Sequence, residues 1–599
     1  MATTTASPQR ELTPSGLAFS SAIPQKRILE DDHTPAVPSP LNPEVKPVPK
    51  VQVQAPDDGS AMREKRTKKD SLKKREAKGG AGGPDSSRAT PDPKHPQHQQ
   101  PKDTPPGELA PMRYKLAPPR PSDFEQSRGP VFQSHHEVQD PDDRTIEFFE
   151  TSEHVYNKKN FHYTHCIADP AFPSMFYYRQ TEPAPYGAHL NFEDAAAHMY
   201  FDKAGKHVTS DKGFRMTRAN VSVREGRWYW ECRVTRGLLK ERAAGDPESH
   251  GHIRVGWARR EASLDAPVGF DAYSYGIRDV AGQKVHMSRP RDFFPPGEDL
   301  REGDVIGLEI QLPSEQLHRK VVQGQYNPAV DLAEDEYARS GGAARGAGEP
   351  APNIIRDRIP IRFKAHIYFE KIDYHTTKEL DDLMNPSPMN SSGTNGSSEP
   401  PNPHHPIPSL RTLPNSHVKV YKNGVLMGTP WTDLLAFLPP ASKLLQQPGG
   451  RECLDDGSLG YYPAVSVFRG GAVEVNFGPH FWYPPPGLEL PLDDVDMLDV
   501  GALELPPPPP VSGPGPQPPP RNLVSLPPSA KLRPVGERYD DQIVEDIVYD
   551  IIDEVGFWMQ DGGKTVVDRS GKDGKAGEAV GVGVLPGGRE EIKELVQDD

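Results

Sequence analysis

Gly226-Arg227-Trp228-Tyr229-Trp230-Glu231-Cys232-Arg233-Val234 is the stretch on which the fold turns. Aromatic and β-branched residues crowd it and a glycine introduces it, so it reads as a strand. Working outward, His252-Ile253-Arg254-Val255-Gly256-Trp257 and Val305-Ile306-Gly307-Leu308-Glu309-Ile310 alternate in the same way. Further strands are expected at 361–369 (IRFKAHIYF), 418–421, 465–468 and 473–477 (VEVNF). Val418-Lys419-Val420-Tyr421-Lys422-Asn423-Gly424-Val425 predicts a hairpin, because an Asn-Gly pair favours the type I′ turn whose twist suits two antiparallel strands. Many short strands with turn residues between them, and little helical periodicity, predict an all-β antiparallel sandwich.

The chain has 599 residues, long enough for several domains, yet 69 are Pro, 53 are Gly and only 34% are hydrophobic. Tracts of that composition bury too little apolar surface to offset chain entropy, so one large ordered domain with appendages is expected. Residues 1–110 read as a disordered tail containing a basic run, and 111–189 as an aromatic-rich segment that packs against the sandwich, its own fold left open. The sandwich is expected over 190–484, with disordered insertions near 313–352, 376–408 and 439–450. A Pro-rich linker spans 485–536 and includes LPPPPPVSGPGPQPPP, which favours polyproline II. A helix over 537–560 and a disordered tail over 561–599 complete the expected organisation.

Formal net charge is −15, but the basic run at 63–78 and the acidic run at 540–554 divide its sign. That asymmetry implies separate partners for separate segments, not one nucleic-acid surface. Lys65, Arg66, Lys68, Lys69, Lys73, Lys74 and Arg75 suit nuclear import or contact with nucleosomal DNA, and equally a solvated charged segment. Arg113, Lys115 and Arg120 form a weaker second candidate. Three scattered cysteines, Cys166, Cys232 and Cys453, build neither a disulfide framework nor a Cys-rich finger and fit a reducing compartment. MATTTASPQRELTPSG lacks an apolar secretory core and no uncharged run reaches membrane-spanning length, so a soluble intracellular protein is expected.

YDDQIVEDIVYDIIDEVGFW, from Tyr539, carries the only marked helical period. Ile543, Val544, Ile547, Val548, Ile551, Ile552 and Val555 cover about half the circumference, with Glu545, Asp546, Tyr549, Asp550 and Asp553 opposite. Asp540 and Asp541 suit its start, and Gly556 its end. Two readings stand: a helix folded back onto its own sandwich, and a helix laid in a partner's groove. The intervening linker and the marginal stability of a short isolated helix favour the second.

Gly213-Phe214-Arg215-Met216-Thr217-Arg218-Ala219 and Gly226-Arg227-Trp228-Tyr229-Trp230-Glu231 resemble the opening strands of a SPRY domain. Ala266-Pro267-Val268-Gly269-Phe270-Asp271-Ala272-Tyr273-Ser274-Tyr275, Gly303-Asp304-Val305-Ile306-Gly307, Tyr421-Lys422-Asn423-Gly424-Val425 and Val475-Asn476-Phe477-Gly478-Pro479, followed by the helix, narrow the resemblance to the Ash-two/Bre-two family. It covers about half the chain, and the absence of an N-terminal Cys-rich finger is of the fungal type. Family members are SPRY subunits of COMPASS-type (trithorax-type) complexes that methylate lysine four of histone H3. The resemblance implies a concanavalin-like SPRY sandwich acting as a nuclear, non-catalytic scaffold for transcription-regulating chromatin complexes. Phe214, Arg254, Pro267, Phe270 and Arg278 would receive an acidic segment of a WD-repeat subunit. Arg suits that role through its planar, bidentate fork; the plain alternative for Arg254 is a solvated ion pair. Ile543, Ile547, Val548, Ile551 and Val555 would anchor the helix in the groove of a dimeric Dpy-thirty (Sdc-type) subunit. A SET-domain methyltransferase and the nucleosome complete the implied partners, with no membrane, small-molecule substrate or cofactor.

The residues themselves offer no competing chemistry. Glu231, Glu309 and Glu474 fall on expected strands but form no closely spaced carboxylate pair of the kind a glycosidase needs, and single strand carboxylates usually face solvent. His162, His165 and Cys166 lie close together without a fourth ligand, so no metal is expected. GVGV from Gly581 follows no strand and is not a phosphate loop. A SPRY substrate receptor in a ubiquitin-ligase pathway is the alternative, and would need a RING, F-box or SOCS-type segment that is not seen.

Overall fold

The computed structural model describes residues 119–157, 160–169, 178–339, 354–356, 359–364, 366–385, 399–444, 454–488, 531–561 and 593–595. The basic run at 63–78 with all seven of its candidate cations, the tail 1–110, Arg113, Lys115, Cys453, the polyproline tract and Gly581 lie outside these residues.

Two antiparallel sheets face each other. Strand Gly226–Arg236 lies inside a ten-stranded sheet, between Ala472–Asn476 on one side and Val305–Leu312 on the other. Beyond Val305–Leu312 come His417–Lys422 and Val425–Thr432, joined through Asn423 and Gly424 at φ 49° and 80°. Positive φ at both positions is what a type I′ turn requires. The opposing seven-stranded sheet runs from Arg289–Arg291 through Lys284–His286, Ser274–Arg278, His252–Ala258, Tyr462–Phe468 and Arg215–Ala219 to Leu190–Ala195. Trp230 and Trp257, both fully buried, meet edge to face with centroids 6.2 Å apart at the centre of the core. Ile253, Val255, Ile306, Leu308 and Ile310 surround them from alternate positions of their strands.

Several expectations are corrected. The run 361–369 is two strands, Pro360–Phe363 and His366–Ile372, paired with each other where Lys364 adopts φ 50°. They belong to a separate five-stranded sheet with Phe161–Ala168, Tyr178–Gln180 and Lys593–Leu595. The segment 111–189 thus supplies two strands here, and two more, Val131–Gln139 and Thr145–Ser152, to the edge of the ten-stranded sheet. Phe148, Phe149, Phe161 and Tyr163 of that segment are buried, which accounts for its aromatic density.

The insertion 313–352, expected to be disordered, carries helix α1 (Glu315–Gln323) and helix α2 (Pro328–Arg339). Ser314 caps α1 by accepting from the Leu317 amide at 3.2 Å, Gly324 ends it at φ 76°, and Leu317, Val321 and Val322 are buried beneath it. Local capping and an apolar stripe prevail there over a composition rich in charge. Helix α3 (Lys378–Met384) sits within 376–408 because Leu380 is wholly buried, and Lys443–Leu444 forms a strand within 439–450. The expected linker ends in the strand Leu532–Pro534, parallel to Gly226–Arg236, and Lys593–Leu595 interrupts the tail 561–599.

The sandwich joins the five-stranded sheet through buried charge. Arg218 forks onto Asp194 at 2.7 and 2.9 Å and donates to the carbonyls of Arg259, Arg260 and Ala262. Arg260 bridges Asp194 at 3.3 Å and Asp373 at 3.2 Å. Burial would push the Asp194 carboxyl up, but the two guanidinium groups outweigh it and hold it far below the usual carboxylate range. Asp194→Ala takes the shared carboxylate from both arginines, leaving Arg218 buried without a counter-charge, and is expected to cost about 3–5 kcal/mol in urea denaturation. Asp265→Ala, which removes an exposed contact to Arg215, is expected to cost under about 1 kcal/mol.

Candidate docking surfaces

Along His252–Ala258, Ile253, Val255 and Trp257 point into the core, which turns Arg254 to the outer face. Antiparallel pairing sets Arg254 directly opposite Arg278. The Arg254 guanidinium lies 4.9 Å over the Phe214 ring, and Phe214 stacks on Phe468 at 4.6 Å. Among the described residues neither guanidinium has a carboxylate within ion-pair reach, so the solvated ion-pair alternative for Arg254 finds no partner there. Burial first, and the like charge of Arg278 second, push the Arg254 pKa down. An anion seated here would relieve that repulsion.

The loop holding Pro267 borders the site. The Val268 amide donates to Ser466 at 2.9 Å, and Ser466 is the other register partner of Arg254. Gly269 sits at φ 82°, and a Cβ there would meet the Val285 carbonyl oxygen at 2.4 Å. Phe270 is 45% exposed, with its amide bound to the Pro267 carbonyl. The reading of single residues missed His252, Phe468 and Arg469. His252 stacks on Phe468 and holds Asp279 at 2.9 Å, while Arg469 lies 5.0 Å over Phe468. Alternation was the available signal, since His252 precedes Arg254 by two and shares its face.

The second surface is helix α4 (Arg538–Asp561), which runs through Gly556 instead of stopping there, so the expected end is corrected. Its base is clamped. Arg533 lies 4.4 Å over the Trp228 ring and Arg538 5.8 Å from it. Arg538, buried, donates to the Ser222 carbonyl at 2.9 Å and forks onto Glu545 at 2.8 and 3.0 Å. Asp546 meets Arg356 at 2.6 Å and Gln180 at 3.1 Å, and Tyr549 stacks under Arg356 at 5.1 Å. The polar face is therefore the one held by the body of the chain. Ile543, Val544, Ile547, Ile551, Ile552 and Val555 are 40–55% exposed on the other side. Val548 departs from the expected anchors by being only partly exposed.

The remaining candidates are structural. His162 is buried between Asp373 and Asp456, 3.8 Å from each, and His165 bonds Glu193 and Ser127 at 2.9 and 2.8 Å. Among the described residues no cluster of three His, Cys, Asp or Glu is arranged to hold a metal, and no helix is long and apolar enough to cross a membrane. The strand carboxylates do not face solvent as expected. Glu231 accepts from the Trp482 and Tyr483 amides, Glu309 from Arg227, Lys419 and Tyr421, and Glu474 lies beside His207 and Arg144. Hydrogen-bond donors satisfy Glu231 and Glu309, while nearby cationic side chains hold Glu474.

Glu225 lies beneath the base of α4, accepting the Glu315 amide at 2.8 Å and facing Glu315, Arg538 and Glu545. Burial, then the Glu315 charge, push its pKa from 4.5 up to about 8. The folded chain then binds more protons than the unfolded chain between those values, so this contribution to stability falls as pH rises through that window. Urea midpoints are expected to drop between pH 6 and pH 8, and to drop less in Glu225→Gln. An unchanged difference between the two proteins would refute the assignment.

No family model matches the chain. A COMPASS component cclA of Colletotrichum higginsianum is 62% identical to it, over 99% of this chain and 98% of the relative. COMPASS component cclA of Aspergillus oryzae is 38% identical, over 96% and 87%. The Set1 complex component ash2 of Schizosaccharomyces pombe is 35% identical, over 75% and 52%. A crystal structure of a human SPRY domain aligns with 47% of this chain and 98% of its own at 12% identity and a TM-score of 0.22, too slight a likeness to bear on the fold. With relatives of such identity across nearly its whole length, the chain belongs to the Ash-two/Bre-two family of COMPASS components.

Proposed function

We propose that the chain is a non-catalytic, nuclear scaffold subunit of a histone H3 lysine-four methyltransferase complex. The observation that carries this reading is α4, whose acidic face is consumed by its own sandwich while its apolar face stands open. A stripe of that kind suits an apolar groove, here that of a dimeric Sdc-type subunit. Arg254 over Phe214, with Arg278 beside it by register, suits an acidic segment of the WD-repeat subunit. Engaging both at once would hold the SET-domain catalytic subunit in its active arrangement by positioning alone, with any nucleosomal contact falling to the basic segments. Membership of the family whose relatives are named as COMPASS and Set1 complex components supports it.

Arg254→Ala with Arg278→Ala is expected to weaken binding of the acidic segment by about 2–5 kcal/mol in titration calorimetry, with the fold intact. Undiminished affinity at physiological salt would refute the pocket. Ile547→Asp places a charge against an apolar groove and is expected to remove the dimeric partner from pull-downs, a loss of roughly 2 kcal/mol or more. Retention of that partner would refute the helix surface.

A further inference from the structure

The insertion following strand Val305–Leu312 has no part in either docking surface, yet its contacts converge on α4. In α2, Asp335 accepts the Ser314 amide at 3.0 Å and Asp331 holds Lys320 at 2.6 Å, which fixes α2 to α1. In α1, Glu315 meets Arg224 at 2.7 Å, and Arg224 in turn meets Asp455 at 2.6 Å. Backbone bonds tie Asp455 to Ile354 and Ile355, where the inserted segment returns. The next residue, Arg356, is largely shielded and makes the contacts to Asp546 and Tyr549 of α4. A continuous series of ion pairs and backbone hydrogen bonds therefore runs from the inserted helices to the middle of the docking helix. Arg356 also donates to the Asp456 carbonyl at 3.2 Å, which leaves its guanidinium little freedom to follow the helix elsewhere.

We infer that this insertion is a bracket that sets the direction of α4, with Arg356 as the positioning residue, so that the partner meets a preformed post. The inference rests on the reading that α4 receives a dimeric partner, but the bracket itself is a property of the free chain. An isolated helix of this composition is marginal in water, and ion pairs to a rigid body supply what its exposed apolar face does not. The partner would then bind without the entropy cost of folding its ligand, and at an angle dictated by the sandwich.

Hydrogen exchange of the full chain without partners tests this. Amides of α4 from 543 to 555 are expected to exchange at least about tenfold faster in Arg356→Ala and in Asp546→Ala than in the unaltered chain, with strand Gly226–Arg236 unchanged. Because both variants break the Arg356–Asp546 ion pair, the double variant is expected to fall short of the two single effects combined. Equal exchange in the unaltered and altered chains, or additive effects, would overturn the bracket. Ile547→Asp separates the two readings: it is expected to keep the slow exchange of α4 while losing the partner. If it retains the partner, the docking surface fails and the bracket stands.

Discussion

Arg538 reaches under Ser222, stacks on Trp228 and closes a two-pronged contact with Glu545, while Arg356 meets Asp546 on the next residue of the helix. The geometry of α4 is set by these pairings. They turn the acidic half of an amphipathic helix inward, against the usual preference for apolar burial, and leave Ile543, Ile547 and Ile551 in water. Such an inversion is stable only where cations are already fixed to receive the carboxylates. Trp228 and Ser222 supply that fixity from the sandwich, and Arg356 from the end of the insertion.

The outer-face site obeys a related constraint with opposite sign. There strand register sets Arg254 beside Arg278, the Arg254 guanidinium lies over the Phe214 ring, and among the described residues neither has a carboxylate within ion-pair reach. Inside the molecule the same residue type is fully neutralised, as at Arg218, Arg224 and Arg259. The contrast between satisfied buried arginines and a surface pair without ion-pair partners sets the proposed docking site apart from the structural networks.

Much of the architecture was readable from local pattern. The Trp228 strand, the alternation around Arg254 and the Asn423-Gly424 turn all carry their structure in a few neighbouring residues. Composition masks local pattern in the insertion: Ser314, Leu317, Val321 and Gly324 spell a capped helix inside a stretch otherwise rich in charge and glycine. Strands of segment 111–189 were hard to place because two of them complete one sheet and two another, a division no local periodicity records. The inward orientation of Glu231 and Glu309 is not legible in the sequence, because their partners, such as Trp482 and Tyr421, lie on elements distant along the chain.

The order of residues by itself determined the strands, the hairpin turn and a helix with one apolar and one acidic face, since periods of two and 3.6 are local properties of the chain. Only the tertiary structure decided which face of that helix is spoken for. Asp546 looks the same as any solvated carboxylate until Arg356 is brought beside it, and that proximity depends on long-range packing of an insertion against the sandwich. The same holds for Arg254 and Arg278, whose partnership exists through cross-strand register and not through spacing along the chain.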